Sequence, residues 1–174
     1  MKFTPKAERA LRLAAREARD FGHPCVSSQH LVFGLFLLGD NVQSSLLHKL
    51  RFTEDSLRQS IAASEALSEP TEKTGDLTLG ASAARALERA EGEAAKTLLS
   101  HVWTEHILLG LLAEEDGGAA RLFRAQQVDT ARARQAVLDE RDYRSSSTYP
   151  IEGTDAPPAA RQPLASNARR DSSR

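Results

Sequence analysis

The fold is decided by a pattern that occurs twice in this chain, first as Ser28-Gln29-His30-Leu31-Val32-Phe33-Gly34-Leu35 and again as Thr104-Glu105-His106-Ile107-Leu108-Leu109-Gly110-Leu111. The second copy lies 76 residues after the first (28 to 104), and the same offset aligns Phe3–Ile61 with Leu79–Val137 without a gap. A gapless match of this length at one fixed offset indicates that a structural unit has been duplicated. Each residue is therefore interpreted together with its counterpart in the other copy.

The first copy is predicted to form four helices, because its apolar residues recur at helical spacing. Thr4 followed by Pro5 is typical of a helix start. The second helix is predicted to begin with Ser28 as its N-cap. It is apolar on most sides, so we expect it to be the buried centre of the unit. A short third helix follows, and Thr53 is the predicted N-cap of the fourth.

The second copy repeats this plan, with Thr104 and Asp129 as predicted N-caps. Its four predicted helices span about residues 82–97, 104–115, 118–126 and 130–141. Gly34 and Gly110 lie in the middle of the apolar helix of each copy, where glycine costs about 1 kcal/mol relative to alanine. We expect a second helix to pack closely against each of these glycines.

The sequence thus predicts an all-α tandem repeat, in which two four-helix units are related by a pseudo-twofold axis. The units are residues 1–64 and 79–142, and no strand is predicted. Residues 65–78 lack apolar periodicity and are predicted to be a linker. From 143 to 174 the composition shifts to Ser, Pro, Ala and Arg, which bury too little apolar area to offset the entropy of ordering. We expect this tail to be disordered.

Composition excludes several classes of protein. A net charge of −1 with 27% charged residues lacks the basic excess of a nucleic-acid binder. The longest apolar stretch, 31–38, is too short to span a bilayer, and the N-terminus has no apolar signal core. A single cysteine, Cys25, excludes an internal disulfide and fits a reducing compartment. We therefore expect a soluble cytoplasmic protein that binds neither nucleic acid nor membrane.

Two motifs carry a family resemblance. The stretch Phe3-Thr4-Pro5-Lys6-Ala7 resembles the opening F-T-x-x-A of the Clp N-terminal (Clp repeat) domain, and residues 104–111 resemble its G-T-E-H-I-L-L-G-L motif. Residues 28–35 are a looser copy of the same motif. The likeness covers about residues 3–141, and the tandem arrangement is itself typical of the family. It implies the double Clp N-domain fold.

In that family the domain precedes Clp unfoldases, which are ring ATPases that feed proteins into a protease, and it docks adaptors and substrates. This chain has no G-x-x-x-x-G-K-[ST] phosphate loop. The resemblance therefore implies a stand-alone, non-enzymatic binding module with no cofactor or metal. Its partners would be Clp unfoldase or protease components, adaptors or substrate proteins. It would deliver or compete for them in Clp-dependent proteolysis or, alternatively, act as a decoy that sequesters peptide antibiotics aimed at the unfoldase.

The resemblance also implies a ligand site. In some bacterial relatives each copy offers a pocket for a phosphorylated arginine side chain, formed by the Glu of the T-E-H motif and a Thr near the start of the copy. A carboxylate suits the guanidinium, while hydroxyl and helix N–H groups suit the phosphate. Mapped within each copy, Thr4 accompanies Gln29 and Gly80 accompanies Glu105, so each pocket lacks one element. The alternative for Glu105 is an ordinary helix-start carboxylate favoured by the dipole.

A second surface is implied at the starts of the two first helices, which in relatives lie near each other and bind peptides or cyclic-peptide antibiotics. The matching residues are Phe3, Lys6, Arg9, Leu13 and Arg16 in the first copy, and Leu79, Arg85 and Arg89 in the second. Leu79 stands where the family has a second aromatic residue. Trp103, the only tryptophan, is either a core residue or an exposed contact residue.

Two chemical alternatives rest on single residues. His30 and His106 are either catalytic or metal-binding, or they are buried histidines whose ring nitrogens bond to backbone or a neighbouring helix. Cys25 is either a nucleophile activated by His23 or His30, or an unreactive thiol. The duplication does not preserve this cysteine, because the second copy has His101 in its place. We favour buried histidines and an unreactive thiol. A stable protein without a partner is a further alternative.

Overall fold

The computed structural model describes residues 2–39, 42–64, 70–74, 77–97 and 100–146. The helices in these ranges are α1 Pro5–Asp20, α2 Ser28–Leu37, α3 Val42–Lys49, α4 Glu54–Ala63, α5 Ala81–Ala95, α6 Thr104–Leu112, α7 Gly118–Ala125 and α8 Thr130–Ser146. The strands are β1 Lys2–Phe3, β2 Pro70–Thr74, β3 Leu77–Gly80 and β4 His101–Val102.

The predicted tandem helical repeat is confirmed. Helix α1 packs against α2 in the first copy, and α5 packs against α6 in the second. Helices α2 and α6 are the centres of their units, since every residue in 28–36 and 104–112 is buried. The buried apolar residues of both copies form one continuous cluster. The two units therefore share a core rather than standing as separate bodies.

Glycine allows the central helix of each copy to touch its neighbour. A Cβ atom on Gly34 would lie closer than 3.0 Å to the Ala10 carbonyl oxygen, and one on Gly110 would lie equally close to the carbonyl oxygen of Ala86. Both obstacles are backbone atoms, which cannot rotate away as the end of a side chain can. The predicted close helix contacts are confirmed.

We expect Gly110→Ala to destabilise the protein by about 1–3 kcal/mol, because overpacking against a backbone exceeds the gain in helix propensity. Gly92→Ala is the matched control, since Gly92 lies in α5 with no atom within 4 Å of the added Cβ. The control should be stabilised by about 1 kcal/mol. Urea denaturation measures both, and equal effects of the two substitutions would contradict this account of Gly110.

Three predicted helix starts are confirmed. The Thr4 hydroxyl accepts a hydrogen bond from the Ala7 amide at 3.2 Å, and Thr53 caps α4 through the Ser56 amide at 3.1 Å. Asp129 likewise accepts the Arg132 amide at 2.9 Å. These residues satisfy amides that the first turn of a helix leaves unpaired.

The predicted N-caps Ser28 and Thr104 are wrong by one residue. The N-caps of α2 and α6 are Ser27 and Trp103. The cause is the histidine three residues after each cap. Nδ1 of His30 accepts the Ser27 amide and Nδ1 of His106 accepts the Trp103 amide, both at 3.0 Å. Histidine thus fills the place that Glu or Gln takes in a capping box.

Two helix ends also differ from prediction. Helix α6 ends at Leu112 rather than 115, because Glu114 turns out of the helix and its Oε2 accepts the Ala119 amide at the start of α7, at 3.0 Å. Helix α8 continues to Ser146, four residues past the predicted boundary of the second unit. The rest of the predicted tail, 147–174, lies outside the described residues.

The prediction of no strand is wrong, and part of the predicted linker 65–78 is β-structure. Strands β2 and β3 pair antiparallel, and β1 pairs parallel with β4. The strands are two to five residues long and are held by backbone hydrogen bonds. Side-chain periodicity cannot reveal such short segments.

The strand pairs join the start of each copy to the other copy. Phe3 pairs with Val102, and the Thr4 amide donates to the Val102 carbonyl at 3.0 Å. At the equivalent place Leu79 pairs with Val26, and the amide of Gly80 donates to the Val26 carbonyl at 2.9 Å. The 76-residue offset relates these two sets, so the pairing follows the pseudo-twofold symmetry.

An equivalent ion pair ties the first helix of each copy to the fourth. Arg58 on α4 lies 3.3 Å from the Glu17 carboxylate on α1, and Arg134 on α8 lies 2.8 Å from the Glu93 carboxylate on α5. Both members of the pair are related by the offset. The duplication therefore extends to individual polar contacts.

Candidate functional site

Each candidate ligand site combines the start of the first helix of one copy with the start of the central helix of the other copy. Thr4, the N-cap of α1, hydrogen-bonds to the Val102 carbonyl, three residues before Glu105 in the first turn of α6. Gly80, the N-cap of α5, bonds in the same way to Val26, three residues before Gln29 in α2. We call these junctions the Thr4–Glu105 site and the Gly80–Gln29 site.

The pairing within one copy, which the sequence suggested, is wrong. His23 Nδ1 lies 3.1 Å from His30 Nε2, so α2 begins beside the end of α1. Helix α1 has 16 residues and is therefore about 24 Å long, with Thr4 at its other end. Gln29 and Thr4 are thus separated by the length of α1. The sequence offset shows which residues are equivalent. It does not show that the first residues of each copy are bound by the other copy.

The exchange changes what each site retains. The Thr4–Glu105 site has both the hydroxyl and the carboxylate, whereas the Gly80–Gln29 site has neither. The sequence predicted that each site lacks one of the two groups. In the structure one site has both the hydroxyl and the carboxylate, and the other site has neither of them.

The Gly80–Gln29 site is also filled by packing. Gln29 is 4% exposed, and its Nε2 donates to Ser60 Oγ at 3.0 Å. A Cβ on Gly118 would lie 2.8 Å from Gln29 Cγ, so the side chain is pressed against the start of α7. These contacts give Gln29 a structural role between the copies.

At the Thr4–Glu105 site both side chains lie just beneath the surface, each 6% exposed. The Thr4 hydroxyl oxygen accepts the Ala7 amide, and its own proton is left to donate to a further acceptor. The backbone of Trp103 forms the N-cap between Val102 and Glu105, and its side chain is half-buried. Trp103 is therefore neither wholly a core residue nor freely exposed.

The second candidate surface is only partly accessible. Phe3, Lys6 and Leu13 are half-buried, while Arg9 and Arg16 are exposed. Arg16 faces Asp20 at 3.6 Å. In the second copy, Arg85 is exposed and Arg89 is half-buried. The guanidinium groups of Arg9 and Arg85 form no ion pair with any described residue.

Leu79 is wrongly assigned to this surface. Its side chain is 1% exposed, because it lies in the hydrophobic core that the two copies share. Its equivalent Phe3 is half-buried and packs against the same core. A ligand that spans both residues would have no access to Leu79.

The repeated histidines have a structural role in both copies. His30 and His106 are fully buried, and burial lowers the pKa of each to about 4. The Nδ1 atom of each ring accepts a backbone amide, which leaves the proton of the neutral ring on Nε2. In His30 this nitrogen faces His23, while in His106 it has no partner among the described residues.

Cys25 has the environment of an unreactive thiol. It is buried, and desolvation raises its pKa, which favours the protonated form over the nucleophilic thiolate. In the ranges that the structure covers, no three His, Cys, Asp or Glu residues are grouped to hold a metal ion. No helix there is long and apolar enough to cross a membrane.

Comparison with known proteins identifies the family. A family model described as the Clp repeat (R) N-terminal domain matches residues 2–126 and 99–164. The chain belongs to this family. The Clp repeat fold is further supported by the crystal structure of the N-terminal domain of ClpD from Arabidopsis thaliana. The two structures align with a TM-score of 0.68 and 25% sequence identity. The alignment covers 81% of this chain and 95% of the ClpD chain.

A second solved structure shares the fold alone. The Hsp104 N-terminal domain from Candida albicans has a TM-score of 0.61 at 15% identity, and covers 81% of this chain and 92% of that one. The two likenesses together place the Clp repeat architecture in proteins from a plant and a yeast.

Curated relatives extend beyond this region. The chain is 30% identical over 139 residues to a probable ATP-dependent Clp protease ATP-binding subunit of Chlamydia pneumoniae. It is 32% identical over 137 residues to the negative regulator of genetic competence ClpC/MecB of Bacillus subtilis. These matches cover 80% and 79% of this chain but only 16% and 17% of the relatives. The chain thus spans a small share of the proteins it matches.

The residues that join the copies were missed from the sequence. The carbonyl groups of Val26 and Val102 accept the amides of Gly80 and Thr4 from the other copy. Thr104 Oγ1 also donates to Gln43 Oε1 in the other copy, at 2.9 Å. One signal was available, because Val26 and Val102 are equivalent and each lies just before the central helix of its copy. A valine kept at the same place in the two copies of one chain indicates a common structural contact.

The buried histidines predict a loss of stability in weak acid. Unfolding raises their pKa from about 4 to the ordinary 6.5, so the unfolded chain binds more protons between these values. Stability should therefore fall as the pH drops from about 6.5 to 4, by at most about 1.4 kcal/mol per pH unit for each histidine. Urea denaturation at a series of pH values measures this slope.

His106→Gln should remove about half of the histidine contribution to that slope, because one of the two groups is lost. His48→Gln is the matched control, since His48 is exposed. Identical slopes in the wild type and both variants would show that neither buried ring controls acid stability.

Proposed function

We propose that this chain is a non-enzymatic module that binds proteins or peptides of the Clp unfoldase–protease system. Family membership supports the class of function. The observation that carries the proposal furthest is the pair Arg9 and Arg85, which occupy equivalent exposed positions on α1 and α5 and form no ion pair with a described residue. Arginine is enriched where proteins contact partners, because its planar fork binds carboxylate and stacks on aromatic groups.

The proposed mechanism is surface recognition without a covalent step. The exposed cations on the two first helices would meet acidic groups of an adaptor, a substrate or the unfoldase. Phe3 and Trp103, both half-buried near the β1–β4 pair, would add apolar contact area. By holding such a partner, the module would deliver it to the unfoldase or compete with the unfoldase for it.

The immobilised full chain should retain a Clp unfoldase, an adaptor or a Clp substrate from lysate of its own cells, identified by mass spectrometry. Arg9→Ala combined with Arg85→Ala should reduce the retained amount about tenfold, equivalent to about 1.4 kcal/mol of binding free energy. Arg12→Ala is the control, because Arg12 is exposed on α1 but faces Glu8 at 3.6 Å. Retention of no Clp component by the wild type would overturn the proposal.

We further propose that the Thr4–Glu105 site binds a phosphorylated arginine side chain and that the Gly80–Gln29 site does not. Two features of the first site support this. The Glu105 carboxylate suits a guanidinium, and Thr4 has a hydroxyl proton to donate to a phosphate. At the second site Gln29 is neutral and its amide nitrogen already bonds to Ser60.

A peptide with one phosphoarginine should therefore bind the full chain with a stoichiometry of one in isothermal titration calorimetry. Glu105→Gln should weaken this binding at least tenfold, because it removes the charge that pairs with the guanidinium. Gln29→Glu, the reverse exchange at the other site, should leave this affinity unchanged. Two equivalent sites, or equal binding of the unphosphorylated peptide, would contradict the assignment.

A further inference from the structure

The backbone N–H and C=O groups of Phe3 point away from β4, which is the only strand that pairs with β1 among the described residues. The parallel register places Phe3 opposite Val102, and the Val102 carbonyl accepts the amide of Thr4. Because alternate residues of a strand direct their N–H and C=O groups to opposite edges, those of Phe3 face the other edge of β1. No hydrogen bond to them is present within the described residues.

The equivalent edge in the second copy is occupied. Val26 pairs with Leu79 in the same parallel fashion, and its amide and carbonyl bond to Thr78 and Gly80 at 2.9 Å. The outward edge of Leu79 is then covered by β2, which places Glu72 opposite Leu79 in an antiparallel ladder. The fold therefore already shows how an added strand completes this junction.

We propose that β1 receives an extended peptide of a binding partner as an antiparallel strand, in the position that β2 takes beside β3. This inference rests on the proposed binding function and names its mode of recognition, which is addition of a strand to an exposed edge. The Phe3 amide and carbonyl bond to the guest residue, and the half-buried Phe3 ring contacts its side chain.

The register of β2 predicts the chemistry of the guest. Glu72 opposes Leu79 and Lys73 opposes Thr78, so one guest residue opposes Phe3 and the next opposes Lys2. Lys2 is exposed, and opposite charges stabilise a directly facing pair across two strands. The guest therefore has an acidic residue at the second of these positions. A peptide Pro-Thr-Thr-Glu-Thr, which adapts the sequence of β2, places Glu opposite Lys2.

The direct test titrates this peptide into the isotopically labelled full chain and follows backbone amides by NMR up to millimolar peptide. We expect the Phe3 amide to shift and to become protected from hydrogen exchange. Replacing Glu by Lys in the peptide should weaken binding at least threefold. An N-methyl group on the residue opposite Phe3 should abolish it, because the donor to the Phe3 carbonyl is lost. Absence of binding by the first peptide would overturn the inference.

Two variants of the chain separate backbone pairing from side-chain contact. Phe3→Pro removes the outward amide but keeps the Lys2 and Thr4 groups that face β4, and should weaken binding at least tenfold. Phe3→Leu copies the residue of the second copy and should stay within threefold of the wild type. Equal binding by both variants, or equal loss in both, would contradict strand addition. Thermal melting of each variant verifies that it is folded.

Hydrogen exchange on the free chain tests other occupants of the edge. If the Phe3 amide is already protected without peptide, β1 is paired with another part of the chain or with a second copy, and the inference falls. Protection that disappears on dilution would identify the second copy. The proposed function stands separately, since retention of Clp components that is unaffected by Phe3→Pro would reject strand addition alone.

Discussion

The rest of the structure depends on one constraint, which is that the first residues of each copy are held by backbone hydrogen bonds to the other copy. Phe3 and Thr4 are held by Val102, and Leu79 and Gly80 are held by Val26. Each central helix therefore starts beside the first helix of the other copy. The close contacts at Gly34 and Gly110 build each unit, but this exchange determines which side chains can act together.

The two junctions have diverged within the same backbone arrangement. One retains Thr4 and Glu105, and its strand edge carries no added strand among the described residues. The other has Gly80 and Gln29, is packed by Gly118, and is covered by β2. Polar groups and an accessible edge are thus concentrated at one junction, while the equivalent place stabilises the fold.

Much of this fold follows from the sequence because helices reveal themselves through side-chain spacing. The two units, the buried central helices, the Thr4 and Thr53 caps and the close contacts at the glycines were all predicted. The caps of α2 and α6 were missed, because a histidine at the third helical position replaces the usual Glu or Gln. The candidate pockets were paired wrongly and Leu79 was placed at the surface for one physical reason. The repeat offset shows which residues of the two copies are equivalent. It is the same whether a residue contacts its own copy or the other copy, so it cannot show which of the two contacts is made.

The shared strands also bear on how such a molecule arises. A single copy would lack the backbone partners that the other copy supplies to its first residues. The contacts that join the two halves through Val26 and Val102 have the reciprocal form of those in a symmetric dimer, but they lie within one chain. Because the two copies are separate segments of that chain, each can change without the other, which the identical subunits of a homodimer cannot do.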